Sequence, residues 1–150
     1  MAKAIDVAEY ILGKLGSMTA MKLQKLVYYS QAWHLAWTEK PLFYDKIEAW
    51  RNGPVVTALY ELHKGIFELQ PGFFRTKLKI EGLGQLDANE QDVVDRVLQY
   101  YGTRDPHWLS QLTHMEDPWK NARAKHGVSD QDRSSEEISH QAMFEYYSAL

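Results

Sequence analysis

The chain contains no cysteine. That excludes a disulfide framework, a thiolate metal site and a thiol nucleophile. No apolar run approaches the length of a membrane span. Asp6 and Glu9 break any apolar core near the N-terminus, so no signal peptide is read there and a cytoplasmic location is expected. The six histidines (His34, His63, His107, His114, His126 and His140) show no HExxH or other close metal-ligand spacing. GxSxG, P-loop and GxGxxG patterns are also missing. Neither a cofactor nor a metal is expected. Internal repeats, low-complexity tracts and linkers are absent, so the 150 residues are expected to form one domain, 1–150.

A strong basic excess is lacking too. Net charge is −3, from 17 Lys/Arg and 20 Asp/Glu. Residues 1–80 carry 11 Lys/Arg and 7 Asp/Glu, or +4; residues 81–150 carry 6 and 13, or −7. A surface built for nucleic acid usually has a larger positive surplus, so nucleic acid is not the expected partner. The acidic half reads as a solvated surface or as a face for a basic partner.

What is present is apolar and aromatic. Hydrophobic residues make up 45% of the chain and aromatics 13%, enough for a real core and against intrinsic disorder. A first helix is predicted over about Lys3 to Leu15, from the spacing of Val7, Ala8, Ile11, Leu12 and Leu15, with Gly16 as its stop. Ser17 or Thr19 can cap the next helix. That helix, "MKLQKLVYYSQAWHLAW", is apolar on most faces, so it is expected at the centre of the fold over about 19–38. Gln24, Gln31 and Thr38 recur every seven residues and leave a narrow polar stripe.

"PLFYDKIEAW" reads as a hairpin, Leu42 to Tyr44 and Ile47 to Trp50 around Asp45-Lys46. Gly53-Pro54 then reads as the start of a helix over Val55 to Lys64, closed by Gly65. The backbone N–H groups of that helix start, with Arg51 and Asn52 beside them, offer a place for an anion or a partner's carboxylate. Phe74, Thr76, Leu78 and Ile80 alternate with Arg75, Lys77 and Lys79, which predicts a strand over about 73–81 with one basic face. Further helix starts are marked by Asp87 with Glu90, by Asp105-Pro106, by Asp117-Pro118 and by Ser134 with Glu137, the last opening a helix that holds Ile138, Ala142, Met143, Tyr146 and Tyr147. Gly127 to Ser135 reads as a polar loop. The fold class is therefore mainly α (α+β): a helical domain around a central buried helix, with a small sheet over about 42–51 and 73–81.

The fragment nearest to chemistry is "THMEDPW", where His114 and Glu116 have the spacing of an acid/base pair. The reading favoured for it is structural: a helix end, a capped turn and a new start, which Asp117-Pro118 fits. His34, beside Trp33 on the central helix, reads as a hydrogen-bonded core residue. Trp33, Trp37, Trp50 and Trp119 are core residues or binding anchors, since Trp, Tyr and Arg dominate interfaces.

Three segments together resemble one family: Met18 to Tyr60, which holds KLQKLVYYSQAWHLAW and IEAWRNGPVV; "DVVDRVLQYYG"; and "LSQLTHMEDPWKNAR". They are similar to the Panacea-domain family of phage-associated GepA-like or SocA-like proteins. The resemblance implies an antitoxin of a type II toxin-antitoxin system, which neutralises a toxin encoded by an adjacent gene through direct contact and without enzymatic activity. One branch of that family implies a second role, a proteolytic adaptor that hands its toxin to a AAA+ protease. Some members carry an added DNA-binding domain, for which this length is expected to leave no room. A DNA-binding autoregulator using Arg75, Lys77 and Lys79, and a hydrolase using His114 and Glu116, complete the alternatives. Homo-oligomerisation stays open, and no membrane partner is expected. For partner contact the candidates are Trp50, Arg51, Asn52, His114 and Glu116, and the same motifs read equally as scaffold.

Overall fold

In the computed structural model, which describes residues 1–125 and 136–150, eight helices and four short strands follow one another among the described residues. They are α1 (Ala4–Leu15), β1 (Met18–Thr19), α2 (Ala20–Thr38), β2 (Ile47–Trp50), β3 (Gly53–Val56), α3 (Thr57–His63), β4 (Glu68–Leu69), α4 (Phe73–Leu78), α5 (Ala88–Tyr101), α6 (Pro106–His114), α7 (Asp117–Ala124) and α8 (His140–Ser148). The sheets are two antiparallel pairs, β1 with β4 and β2 with β3. The mainly α class predicted from the sequence is what the chain adopts.

α2 is the axis of the fold. The Thr19 hydroxyl accepts from the Lys22 N–H at 3.1 Å and starts the helix. Glu39 closes it in the left-handed region, φ 64°, two residues before Pro41. α1, α5, α6, α8 and β3 pack around it. One contiguous apolar cluster includes residues from Ala2 on the N-terminal side to Tyr147 on α8.

The polar stripe of α2 is turned inward at two of its three members, while Thr38 at the helix end is exposed. Gln24 and Gln31 are both buried. The Gln24 amide donates to the Val56 carbonyl at 3.2 Å and accepts from the Val56 N–H at 2.8 Å. Gln31 donates to the Phe43 carbonyl at 2.6 Å and accepts from the Leu42 N–H at 2.7 Å. Each side chain thus supplies the donor and acceptor that a neighbouring strand would supply. Thr38 bonds back to the His34 carbonyl at 2.8 Å, and His34 Nδ1 meets the Lys40 carbonyl at 2.6 Å.

The hairpin lies one step further along than predicted. Leu42 to Tyr44 form no strand, because Gln31 already engages the Leu42 and Phe43 backbone. β2 instead pairs with β3 across Arg51 and Asn52, in the register Ile47↔Val56 to Trp50↔Gly53. Gly53 and Pro54 therefore lie in a strand, and the helix after them begins only at Thr57. Pro54 costs no ladder bond: on its side of the strand the carbonyl points away from β2 and accepts from Lys25 Nζ at 3.2 Å. The adjacent β-branched pair Val55-Val56 also suits an extended chain.

The predicted strand over 73–81 is a helix, α4, ending in Lys79 at φ 57°. The buried Glu9 carboxylate decides this. It accepts from the N–H groups of Gly72 (3.0 Å), Phe74 (2.7 Å) and Arg75 (3.2 Å), the unpaired donors of a helix start. A helix spreads Arg75, Lys77 and Lys79 around its axis, so the basic strand face does not form. Arg75 turns inward to the Leu83 carbonyl at 2.8 Å.

Asp87 with Glu90 makes the expected capping box, and Asp105 caps α6. α7 begins one residue earlier than read, with Glu116 as N-cap and Asp117 already inside. Ser134 and the predicted loop over 127–135 lie outside the described residues. The Ser139 hydroxyl caps α8, accepting from the Ala142 N–H at 3.0 Å. Ile138 precedes that helix, and its N–H donates to the Ile47 carbonyl at 2.8 Å, beside a Glu48↔Glu137 bridge. Trp119 is buried as expected of a core residue, Trp33 and Trp50 are half-buried, and Trp37 is exposed beneath Arg96.

Replacing Gln31 with Ala strips partners from a buried N–H and a buried carbonyl at once. Gln31→Ala is expected to lower the unfolding free energy by about 2–4 kcal/mol, measured by urea denaturation followed by tryptophan fluorescence.

Candidate functional site

The corner between β2, β3 and α3 is where the sequence candidates meet a cavity. Arg51 and Asn52 keep negative φ, so the positive φ of the tight turn falls on Gly53, at +120°. Glycine is required there on a second ground. A Cβ at Gly53 would sit 2.5 Å from Lys25 Cε and 3.0 Å from Thr113 Oγ1. The turn is pinned from below by α6 and α7. The Ser110 hydroxyl donates to the Asn52 carbonyl at 2.6 Å, Trp119 Nε1 donates to the Trp50 carbonyl at 2.7 Å, and Arg123 Nη1 donates to the Ala49 carbonyl at 2.8 Å.

An open cleft of about 810 Å³ lies against this corner. Trp50, Arg51 and Asn52 form part of its lining, with Lys25, Tyr60 and His63 among the others. Trp50 stands edge-on to Tyr60, ring centres 4.7 Å apart, and donates through Nε1 to Glu48 at 2.8 Å. Glu48 also pairs with Lys46 at 3.0 Å.

Lys25 is the unusual member. It is only 2% exposed. Its sole hydrogen-bond partner among the described residues is the Pro54 carbonyl, and no carboxylate pairs with it there. Burial pushes its ammonium down from the ordinary 10.5 to about 8. A shift of that size means that keeping the charge at this position costs on the order of 3 kcal/mol.

His63 has its state fixed by Gln24. Because Val56 sets the orientation of the Gln24 amide, Gln24 Nε2 donates toward His63 Nε2, 3.0 Å away. His63 Nε2 must then accept, so the ring is neutral. Burial, reinforced by the nearby Lys25 charge, holds its pKa below the ordinary 6.5.

The other two sequence candidates do not line the cleft. His114 stacks on the Trp119 indole, ring centres 4.0 Å apart. Glu116 is buried and accepts from the hydroxyls of Tyr29 (2.7 Å) and Tyr147 (2.8 Å), with Tyr28 donating in turn to Tyr147 at 3.0 Å. Burial raises the Glu116 pKa, and the two phenol donors oppose that rise. The spacing that suggested an acid/base pair therefore brings one ring onto a tryptophan and one carboxylate into a tyrosine cluster. Among the described residues no group of three or more His, Asp or Glu is placed to hold a metal. No helix among them is long and apolar enough to cross a membrane.

A family model described as "Antitoxin SocA-like, Panacea domain" matches residues 23–120, about two thirds of the chain. The chain belongs to this SocA-like, Panacea-domain antitoxin family. Comparison with curated proteins and with solved structures gives no match. The Panacea-domain match runs from Leu23 on α2 to Lys120 on α7 and so takes in the hairpin, its turn and most of the cleft lining.

Sequence reasoning missed Lys25 and His63. The available signal was a lysine within a helix that is apolar nearly all round, where a charged side chain is rarely buried without a partner.

Two expectations follow from the electrostatics. The folded protein holds fewer protons at Lys25 than the unfolded chain does between pH 8 and 10.5, so this residue's contribution to stability rises with pH over that window. Lys25→Met is expected to raise stability at pH 7 by about 1–3 kcal/mol and to remove the rise, as read by denaturant melts from pH 7 to 10.5. For His63 the stability held above pH 6.5 is lost as pH falls through its lower folded value. His63→Gln, which keeps an acceptor but cannot titrate, is expected to flatten that acid limb of the melting profile.

Proposed function

We propose that this protein is the antitoxin of a type II toxin-antitoxin system and neutralises a toxin encoded beside it by direct protein–protein contact. Its action is binding, without catalysis or a cofactor. The observation that carries this is the Panacea-domain match over the span that builds the hairpin corner. The contact surface centres on Trp50, Arg51 and Asn52 at the cleft rim. His114 and Glu116 serve that surface from behind: Trp119, on which His114 stacks, bonds the Trp50 carbonyl, and Glu116 ties α2 to α8. The functional unit extends beyond the matched residues to the whole chain, because α1 and α8 belong to the same apolar cluster.

The chemistry of the corner suits such a role. An exposed arginine and a half-buried tryptophan at a rim are the residue types that act as interface anchors. A surface already folded avoids the ordering cost that a disordered binder meets on association. A specific complex of this kind buries about 1,200–2,000 Å² in total.

Co-expression with the adjacent open reading frame is expected to restore growth and yield a co-purifying complex. Arg51→Ala and Trp50→Ala are each expected to weaken that complex by more than about 1 kcal/mol, measured by calorimetry, with the melting temperature of Arg51→Ala unchanged. A lethal neighbour untouched by this protein would overturn the reading. Toxin levels followed after translation arrest, with and without AAA+ proteases, separate occlusion (unchanged half-life) from delivery for degradation (shortened half-life).

A further inference from the structure

We propose that the cleft at the hairpin corner is a carboxylate socket, with Lys25 as its buried cation, and that it receives an acidic side chain of the protein partner. The identity of the partner rests on the antitoxin reading; the chemistry of the socket does not.

The inference starts from an imbalance of charge. Lys25 lines the cleft, is almost fully buried, and has three N–H donors of which one is matched, by the Pro54 carbonyl. A buried ammonium normally has a carboxylate beside it. Here the one acid in the lining, Glu48, is engaged elsewhere by Lys46 and by Trp50 Nε1. His63 brings no negative charge, and Arg51 and Lys64 add exposed positive charge at the rim. The cleft therefore has cations at its floor and rim, and its own acid is occupied.

The geometry favours a single carboxylate. Two carboxylate oxygens can take up the unused donors of the almost fully buried Lys25 ammonium, and charge-assisted hydrogen bonds are strongest away from bulk water. Glu48 also lines the cleft, and its charge disfavours a doubly charged phosphate more than a single carboxylate. Met21, Val55 and the rings of Trp50 and Tyr60 supply apolar walls for the stem of an Asp or Glu and its neighbours. The charged form of Lys25 is disfavoured in the free protein, and a bound carboxylate relieves that penalty.

The test uses the full chain and a probe whose only charge is one carboxylate, N-acetyl-glutamate N-methylamide. Its glutamine analogue and inorganic phosphate are titrated in parallel. The expected result is saturable NMR shifts of the Lys25 side chain and of the Arg51, Asn52 and Gly53 amides with the glutamate probe. The glutamine analogue is expected to produce none. Lys25→Met should abolish the response and Arg51→Ala should weaken it several-fold. The proposal is overturned if no saturable response appears, if the glutamine analogue or Lys25→Met gives the same response, or if phosphate binds in preference. Should Lys25→Met fail to fold, the wild-type Lys25 signal and the exposed Arg51→Ala variant decide alone. Growth rescue by co-expression without probe binding removes the socket and keeps the antitoxin reading; probe binding without rescue does the reverse. With the toxin in hand, Lys25→Met is expected to weaken the complex by about 30-fold or more.

Discussion

A buried helix that meets irregular backbone must satisfy that backbone from its own side chains. α2 faces this constraint along its length, and two glutamines one heptad apart meet it. Each amide offers a donor and an acceptor at the spacing of a peptide group, so each holds a donor–acceptor pair of the extended segment between Leu42 and Val56. No hydrocarbon can take their place, because it would leave those groups dry and unmatched. The position of the hairpin, and through it the cleft, depends on these two side chains.

Opposite the glutamines, the aromatic face of α2 meets a second polar centre. Glu116 draws the hydroxyls of Tyr29 and Tyr147 to one carboxylate oxygen, while Tyr29 stacks flat on Tyr101 at 4.1 Å. Trp33 Nε1 donates to the Tyr101 hydroxyl at 3.0 Å. Large rings fill the volume, and each polar tip finds a partner. The same short motif, Thr113 to Trp119, therefore links the core to the corner: Glu116 faces α2 and α8, and Trp119 faces the hairpin turn. A binding surface set on such a base keeps its shape before the partner arrives.

The sequence made legible what is local. The period of α1 and α2, the Thr19 cap, the capping box at Asp87 and the Asp105-Pro106 start all depend on residues within a few positions of each other. Where it misled, the deciding atom lay far along the chain. Glu9 turns an alternating pattern near Phe74 into a helix from more than sixty residues away. Gln31 occupies the backbone that would otherwise have made a strand at Leu42. Gly53-Pro54 has the signature of a helix start, yet Lys25 holds the Pro54 carbonyl and Gln24 the Val56 carbonyl, and the segment stays extended. The candidate site was half readable. Trp50, Arg51 and Asn52 announce themselves by residue type; Lys25 is distinguished only by burial, which no single sequence displays.

The hydrogen bonds around the hairpin have one more consequence. On the outer side of β2, the Ile47 carbonyl and the Ala49 N–H are taken by residues 136–138, and Arg123 holds the Ala49 carbonyl. On the outer side of β3, Lys25 and Gln24 hold Pro54 and Val56. Both flanks of the ribbon are closed to strand addition, so another chain cannot extend this sheet by backbone pairing. Recognition at this corner must therefore be written in side chains, a vocabulary in which single substitutions can retarget the protein while its frame stays intact.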